Sequence, residues 1–570
     1  MKRARPVAAA KSSKAARPSG ISHSLLTLAA GALVLAVWAY WPALFGEFVF
    51  DDLHLPFMQT GAAAIPLVQW LGLRPLMMFT YWANLHTSGP VPLAFHVVNL
   101  LFHFAATGFF FLVMRKILDL AKVAEPQRTA LSALCATVFL LHPMQTEAVS
   151  YVAQRGESMG AMFFFASWCL FLYRPQVEIS WRTAAGVLAL YGAAVATKEH
   201  TITLPAVLLL TDCFFHPESA GWAGVKRNWR LYLPIAVGAL LAAFAVARYI
   251  SRDTTSIGFQ LKEFTWYQYF FTQWRVFFLY LAQFVLPIWQ TVDHDFAISH
   301  SPLEHGALFA LIGILALGAA AIMARKKYPL ASFGFLLFAL MLLPTSSVIP
   351  IKDVAADRRL YLPMTGLLFV CAEALRRFRH ATALTAVLMV VMAGSTWARN
   401  QVWASSLNLW EDAAEKSPDK QRVQFGLAVA TFRAGRCHEA VEHFRRAAEI
   451  EKPDYTLLMD WSLAYECDHQ PEQAIATLQE SLRQKPSAQA WASMGVLYAR
   501  QGKVPEALDA LMKGQVLDPT YTITYYYRAR IYQAMNRIPE AIQNLDVVLG
   551  VDPGNAAARQ MMEQIKGQAR

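Results

Sequence analysis

Two adjacent carboxylates open the first polar segment of the chain. Asp51 and Asp52 stand in Phe48-Val-Phe-Asp-Asp-Leu, directly after an apolar run at 24–45. Like charges at this distance repel, so one of the two can have a raised pKa and act as a general base. An Asp-Asp pair is also common at the start of a solvated loop, and the pair alone does not separate these two interpretations.

A second polar group lies on one face of a predicted helix. His96, Asn99 and His103 are spaced by three and four residues, which places them on the same side. They predict either a metal or phosphate site at the end of an apolar span or a polar packing stripe between helices. Two histidines seven residues apart are separated by roughly 10 Å along a helix, too far to ligate one metal together. We therefore take His96 as the site candidate and His103 as structural.

Further ionisable residues fall at the ends of apolar runs, where they are costly unless hydrated or paired. A single arginine there is usually an interfacial anchor, but several beside an Asp pair indicate an anionic ligand such as phosphate. The sequence lacks a phosphate-binding glycine loop, a Gly-x-Ser-x-Gly motif and paired-cysteine zinc spacing, which argues against nucleotide hydrolysis and soluble hydrolase chemistry. The candidates are Arg74, Arg155, Lys198, Glu199, Asp357, Arg358 and Arg359.

The composition indicates that membrane helices position these residues. Of 570 residues, 56% are hydrophobic and only 16% are charged, below the share typical of a soluble enzyme. Six cysteines are too few for a disulfide scaffold, and 13% aromatic residues argue against disorder. The apolar residues form long runs. We expect about eleven spans, at 24–45, 94–114, 129–142, 159–173, 183–197, 201–215, 231–249, 304–323, 330–350, 360–375 and 381–397.

Positive charge predicts the sides of these spans. Basic groups at 115–128, 174–182, 226–230, 325–327 and 376–379 are assigned to the cytoplasm, which requires that 266–289 be a re-entrant or interfacial helix. The N-terminus is then inside and everything after Ala398 outside. Residues 1–23 form a basic cytoplasmic tail. It is a topology anchor rather than a nucleic-acid-binding arm, because it has no interleaved aromatic residues and an apolar run follows.

A repeat begins at about residue 421. Alanines recur at spacings of 34, 33 and 34 residues, and prolines at 33, 33 and 34. This pattern resembles the tetratricopeptide repeat, in which small residues let two helices approach and proline ends the second helix. We predict a transmembrane domain at 24–400, a linker helix at 401–420 and about four repeats at 421–570, which stack into a groove for a protein or peptide. The marker residues are Ala440, Ala474, Ala507, Ala541, Pro453, Pro486, Pro519 and Pro553.

Two cysteines lie on the same edge of the predicted solenoid. Cys437 falls in the turn of the first repeat and Cys467 at the end of the first helix of the second. In an oxidising compartment they could form a disulfide, provided that their Cα atoms approach within roughly 7 Å.

The motifs together resemble the TMTC-type family of membrane glycosyltransferases, which have a GT-C fold and tetratricopeptide repeats. The resemblance covers about 24–554, although this chain has only four repeats where animal members carry longer arrays. The matching segments are Phe48-Val-Phe-Asp51-Asp52, Arg74-Pro75-Leu, the Phe95–His103 segment, Leu141-His142-Pro143, Glu147 through Arg155, Thr197-Lys198-Glu199, Asp293-His294-Asp295 and Ala356 through Pro363.

The resemblance implies transfer of a sugar from a polyprenyl-phosphate carrier to an acceptor hydroxyl, such as that of a protein Ser or Thr, on the extracytoplasmic face. Asp51 or Asp52 would be the base of an inverting displacement, and Arg74, Lys198, Arg358 and Arg359 would neutralise the departing phosphate. The resemblance does not fix a cofactor: a divalent ion at Asp51 and Asp52 is an open alternative, although many GT-C enzymes work without one.

The expected setting is a bacterial inner membrane, with membrane lipid and a lipid-linked sugar as ligands and the repeats in the periplasm. Two other functions stay open. One is a non-enzymatic membrane scaffold, and the other is a ligase or exporter of a lipid-linked oligosaccharide.

Overall fold

The computed structural model describes residues 23–59, 61–216, 221–250, 257–378 and 381–568. The basic N-terminal tail predicted at 1–23 therefore lies almost wholly outside the described residues. The architecture is α-helical, with short 3-10 turns between many of the helices. The α-helices of the first part of the chain are α1 His23–Leu44, α2 Leu67–Trp70, α3 Pro75–Ser88, α4 Pro92–Leu120, α5 Gln127–Leu141, α6 Thr146–Ser150, α7 Arg155–Leu172, α8 Trp181–Val195, α9 Leu204–Phe215, α10 Gly221–Arg227, α11 Trp229–Ile250, α12 Trp266–Val285, α13 Ala307–Ala324, α14 Pro329–Leu342, α15 Met364–Leu375 and α16 Ala381–Val402.

The helices of the second part are shorter and regular. They are α17 Ser406–Lys416, α18 Gln421–Arg433, α19 Cys437–Ile450, α20 Tyr455–Cys467, α21 Pro471–Gln484, α22 Ala488–Arg500, α23 Val504–Leu517, α24 Thr522–Ala534, α25 Ile538–Val551 and α26 Ala556–Gln568.

The chain forms two compact units, and each unit consists of three segments that are not continuous in the sequence. The first unit contains 1–287, 300–350 and 357–404, and the second contains 288–299, 351–356 and 405–570. Two short segments from within the first part of the chain are therefore built into the second unit, and the predicted linker helix, α17, belongs to the second unit as well.

Aromatic side chains fill the interior of the first unit. Phe110 of α4, Phe139 of α5, Phe165 of α7 and Phe369 of α15 are fully buried, and the Phe110 ring lies 5.3 Å from Phe139 and 5.4 Å from Phe165. Offset and edge-to-face ring contacts at such distances stabilise a core beyond the area they bury. This core positions the polar segments at the helix ends.

Four helix pairs, α18/α19 to α24/α25, make up most of the second unit. Their contact surfaces need small residues: a Cβ atom at Gly495 would overlap Leu511 of the paired helix, and Ala507 is fully buried. The repeat period predicted these pairs correctly. Cys437 and Cys467 are joined by a disulfide, with their Cα atoms 5.6 Å apart, so the geometric condition for the bond is met.

The prediction of eleven membrane spans is wrong. Among the described residues, two helices are long and apolar enough to cross a membrane: α4, and α13 with the turn before it, Glu304–Ala324. The α-helical and repeat parts of the predicted fold are confirmed. The assignment of each loop to the cytoplasmic or the outer side of a membrane depended on eleven crossings and is therefore no longer supported.

The physical reason is helix length. A crossing needs roughly 20 helical residues. The run at 129–142 forms a helix of 15 residues, and the runs at 201–215 and 360–375 form helices of 12 residues each. The predicted runs at 201–215 and 360–375 begin inside 3-10 turns, Glu199–Thr203 and Asp357–Leu360, so only their later residues are α-helical. A hydrophobic window does not register these breaks.

Candidate functional site

Asp52 is buried and acts as a backbone acceptor. Its Oδ1 accepts the N–H of Ala153 at 2.6 Å and its Oδ2 accepts that of Val49 at 3.2 Å. Burial raises the pKa of the Asp52 carboxyl to about 8, although these N–H donors act in the opposite direction. Because both oxygens already have protein partners, Asp52 ties the loop after α1 to the segment before α7.

Asp51 has the opposite environment. Its residue is exposed, whereas Asp52 is 0% exposed. The Asp51 N–H donates to the hydroxyl of Tyr151 at 3.0 Å, and that hydroxyl also hydrogen-bonds the Asp51 side chain. The Tyr151 ring is buried and lies 5.5 Å from the ring of Trp403. The two adjacent aspartates are thus distinguished by the fold: one is enclosed and one faces outward from a rigid aromatic support.

Arg74 and Lys198 each contact a carboxylate. The Arg74 guanidinium binds both oxygens of Glu199, at 2.7 and 3.0 Å. Burial tends to raise the pKa of Glu199, but the hydrogen bonds and charge of Arg74 outweigh it and hold that pKa at about 2. The Lys198 ammonium lies 2.9 Å from Glu157 and 3.1 Å from Gln154 Oε1. Burial lowers the pKa of Lys198, and the charge of Glu157 opposes that effect.

Arg358 is fixed by a buried carboxylate. Its Nη1 and its backbone N–H donate to the two oxygens of Glu147, at 2.6 and 2.7 Å. Burial raises the pKa of Glu147, and the charge of Arg358 acts against this shift. Its neighbours point elsewhere: Asp357 accepts from Gln283 at 2.7 Å, and Arg359 donates to the Tyr269 hydroxyl at 3.2 Å.

Most of these groups meet in one region of the first unit. The charge of Arg358 acts on both Tyr151 and Glu157, so the Asp51 loop, the Lys198 corner and the Arg358 turn share one electrostatic environment. The charges of Arg74 and Asp52 both act on Tyr81, in opposite directions: Asp52 raises the pKa of its hydroxyl and Arg74 lowers it. The side chains of Arg74 and Arg358 retain 34% and 18% exposure, whereas that of Lys198 retains 12%. Arg74 and Arg358 are the more accessible of these cations.

Arg155 and Asn99 form a buried structural network. The Arg155 guanidinium donates to Asn99 Oδ1 at 2.7 Å, to the Thr80 hydroxyl at 3.0 Å and to the Phe95 carbonyl at 3.1 Å. Its guanidinium carbon lies 4.4 Å above the ring of Tyr81. These side chains hold α3, α4 and α7 together and present no polar surface to a ligand.

The two histidines of α4 are also buried. His96 is 2% exposed and lines a small cavity of about 10 Å³ with Tyr40 and Ser150. His103 is 0% exposed, and its ring nitrogens contact the Tyr361 hydroxyl at 2.6 Å and the Leu140 carbonyl at 3.0 Å. Both rings therefore lie among helix contacts, and their surroundings favour the packing interpretation over a ligand site.

The described residues contain no group of three or more His, Cys, Asp or Glu side chains arranged to hold a metal ion. The oxygens of Asp52 are already occupied by N–H donors. This geometry therefore does not support a divalent ion shared by Asp51 and Asp52.

The acids that neutralise the basic residues were missed as site residues. Sequence reasoning assigns no individual role to Glu147, Glu157 or His200, although all three lie in polar segments between apolar runs; in the structure His200 Nε2 lies 3.5 Å from Glu157. The signal that was available is that a carboxylate near an apolar run is costly without a partner. Glu147 and Glu157 both meet this description.

Asp293, from the Asp293-His294-Asp295 motif, belongs to the second unit. Its carboxylate is 2% exposed and receives Lys420 and Arg422, which follow α17; Arg422 also binds Asp353 at 2.8 Å. Ser417 donates to the Asp293 carbonyl at 2.9 Å. This motif fixes segments 288–299 and 351–356 to the start of the repeats.

The tetratricopeptide-repeat family matches residues 392–455 and 461–521. Protein O-mannosyl-transferase F38B6.6 of Caenorhabditis elegans is 23% identical over 77% of this chain and 64% of its own length. Protein O-mannosyl-transferase TMTC3 of Mus musculus is 22% identical over 92% of this chain and 64% of its own. The resemblance to TMTC-type proteins is thereby confirmed. The chain spans about two thirds or less of the length of the relatives it matches.

Among solved structures, a thermophilic tetratricopeptide-repeat protein of Thermus thermophilus is 21% identical, with a TM-score of 0.26. The match covers 32% of this chain and 94% of that protein.

Proposed function

We propose that this protein is a membrane glycosyltransferase that moves a sugar from a polyprenyl-phosphate carrier to a Ser or Thr hydroxyl of a protein. The activity by which the relatives are named, protein O-mannosyl-transferase, supports the protein acceptor and makes mannose the first sugar to test. The absence of a nucleotide-binding motif from the sequence is consistent with a lipid-linked donor.

One observation carries the proposal: Asp51 is the exposed carboxylate of the Asp pair and is positioned by the buried Tyr151. Among the nearby acids, Asp52 accepts two backbone N–H groups, Glu147 binds Arg358, and Glu157 binds Lys198. Asp51 is therefore the carboxylate best placed to take a proton from an incoming hydroxyl.

The chemistry follows from that role. The acceptor oxygen attacks the anomeric carbon while its proton passes to the Asp51 carboxylate. The bond between the anomeric carbon and the phosphate oxygen breaks, its electron pair stays on the polyprenyl phosphate, and the sugar is transferred with inversion. The anomeric carbon carries positive charge in the transition state and the leaving phosphate carries negative charge, which nearby cations stabilise.

Arg74 and Arg358 are the proposed phosphate ligands, because they keep more exposure than Lys198 and Arg359. Their carboxylate partners hold the guanidinium groups in place before the donor arrives. An arginine fixed by one bidentate partner still has N–H donors on its other edge for a phosphate.

We propose further that the repeat unit faces an oxidising, extracytoplasmic compartment such as a bacterial periplasm, where its groove engages the acceptor or another protein. The disulfide Cys437–Cys467 supports this location, since such bonds persist in oxidising compartments and are rare in the cytosol. Alkaline phosphatase fused after residue 420 should be active. Activity of a cytoplasmic reporter at this position would contradict the location.

The enzymatic test uses the purified full chain, a defined polyprenyl-phosphate mannose and envelope proteins as acceptors. We expect transfer by the wild type and a rate about 100- to 10,000-fold lower for Asp51→Asn, with equal protein recovery. A scaffold would bind partners equally well in both forms and transfer nothing. A ligase would add an oligosaccharide block, which the mass added to the acceptor distinguishes from a single sugar.

A further inference from the structure

Helix α13 presents an uncovered apolar surface. Only 11% of the Glu304–Ala324 window is buried, and Phe309, Leu315 and Met323 are 78%, 63% and 84% exposed. At 1.5 Å per residue, the 18 residues of α13 span roughly 27 Å, close to the roughly 30 Å of a bilayer core. This helix has the length and the exposed surface of one that lies against lipid.

Three consecutive cations follow the last residue of this helix. Arg325, Lys326 and Lys327 lie in the turn between α13 and α14. In the part of the chain that the structure describes, none of the three lies within ion-pairing distance of a carboxylate. Tyr328 comes next, and its ring lies 5.2 Å from the Lys327 ammonium and 4.9 Å from the guanidinium carbon of Arg377.

Glu373, an acid close to this turn, is already paired with other residues. Glu373 of α15 has a 4% exposed side chain, binds Arg376 and Arg377, and accepts the Leu330 N–H at 2.8 Å. Arg377 also donates to the Lys327 carbonyl at 3.4 Å, which holds the end of α15 against the turn after α13. The charge of Arg325, Lys326 and Lys327 thus stays uncompensated.

The basic group at the end of α4, the other long apolar helix, is arranged differently. Lys116 contacts Asp119 at 3.0 Å, and Arg128 contacts both Asp119 and Glu125. These cations are neutralised by acids of their own loop. The turn after α13 differs in leaving its three cations without a carboxylate partner among the described residues, so an anion from outside the chain could approach them.

We propose that Arg325, Lys326 and Lys327, with Arg377 beside them, bind the phosphate of an anionic phospholipid headgroup. The acyl chains would lie along the exposed side of α13, and Tyr328 would sit at headgroup level, where tyrosine is favoured. Each cation near an anionic lipid surface strengthens binding about fivefold.

The test is native mass spectrometry of the full chain in neutral detergent, titrated with dioctanoyl phosphatidylglycerol and, separately, dioctanoyl phosphatidylcholine. We expect the first phosphatidylglycerol to bind at least about tenfold more tightly to the wild type than to the triple variant R325Q/K326Q/K327Q. Phosphatidylcholine binding should not change. A triple variant whose phosphatidylglycerol affinity matches that of the wild type overturns the proposal.

The matched control removes three cations of the second unit, as R483Q/K513Q/R537Q. Each of these is exposed and paired with a neighbouring acid. It should bind phosphatidylglycerol as the wild type does, and an equal loss in this control would refute a local site. Inorganic phosphate in large excess should not displace the lipid; displacement by it would identify a free-phosphate site instead. If the triple variant is not recovered folded, K326Q alone should weaken binding about fivefold, and an unchanged affinity would sink the idea.

Discussion

Replacing Asp51 and Asp52 one at a time by asparagine should separate catalysis from folding. In Asp52→Asn the amide nitrogen takes the place of one carboxylate oxygen and accepts no hydrogen bond. Either the Val49 or the Ala153 N–H then loses its acceptor in a buried position. An unsatisfied buried donor costs about 1–3 kcal/mol of unfolding free energy.

Asp51→Asn changes an exposed side chain, so its effect on unfolding free energy should stay within about 0.5 kcal/mol. Its effect on transfer should be large, because a general base contributes about 100- to 10,000-fold to the rate. The folded fraction of Asp52→Asn should keep its transfer rate within about tenfold of the wild type.

The assay combines denaturant unfolding in detergent with single-turnover transfer from a defined polyprenyl-phosphate mannose, both on the same preparations. Asp51→Glu serves as a control that keeps the carboxylate and should retain measurable transfer. Normal transfer by Asp51→Asn would show that Asp51 is not the general base. Loss of transfer by Asp52→Asn with an unchanged unfolding free energy would show that Asp52 is not a structural residue.

Three other predictions follow from burial and pairing. Because the folded pKa of Asp52 is about 8 and its unfolded value is lower, folding takes up a proton, and wild-type stability should fall as pH rises towards 8. The stability deficit of Asp52→Asn should therefore narrow as pH rises towards 8, measured by unfolding at each pH. Replacing Cys437 and Cys467 by serine removes a cross-link between residues 30 positions apart in the sequence. The unfolding free energy of the repeat unit should fall by about 3–4 kcal/mol, and an unchanged value in non-reducing buffer would contradict the disulfide. Asp293→Asn should cost about 1–3 kcal/mol of unfolding free energy, because Lys420 and Arg422 lose a buried carboxylate but are 31% and 33% exposed to water. Asp509→Asn, in an exposed pair, should cost under about 1 kcal/mol, and denaturant unfolding of both variants checks the difference.

The repeats could be predicted from the sequence because their determinants are local. Small residues such as Gly495 and Ala507 face a partner helix only about a dozen residues away, and proline ends the second helix of each pair. The membrane spans could not be predicted in the same way, because apolar composition does not show where a helix stops. The 12-residue α9 reads as part of a longer apolar run, yet a 3-10 turn precedes it.

The candidate site was predictable in its residue types and not in its pairing. Arg358 and Glu147 are 211 positions apart, and Asp52 and Ala153 are 101 apart. Only the packing of the helices brings these groups together. From the sequence, Asp51 and Asp52 are equally good candidates for the general base. In the structure Asp52 differs from Asp51 because its carboxylate is buried and accepts backbone N–H groups, one of them from a residue 101 positions away.

The attachment of Asp293 to the repeats also bears on the order in which the protein is made. Asp293 leaves the ribosome 129 residues before its partner Arg422. At a synthesis rate of about 5–20 residues per second, Arg422 is added on the order of 10 s after Asp293, and until then the Asp293 carboxylate lacks this ion-pair partner. Segment 288–299 is made first and must stay accessible while α13 to α17 are synthesised. The second unit can therefore complete its folding only after the repeat helices have been made and have bound this segment.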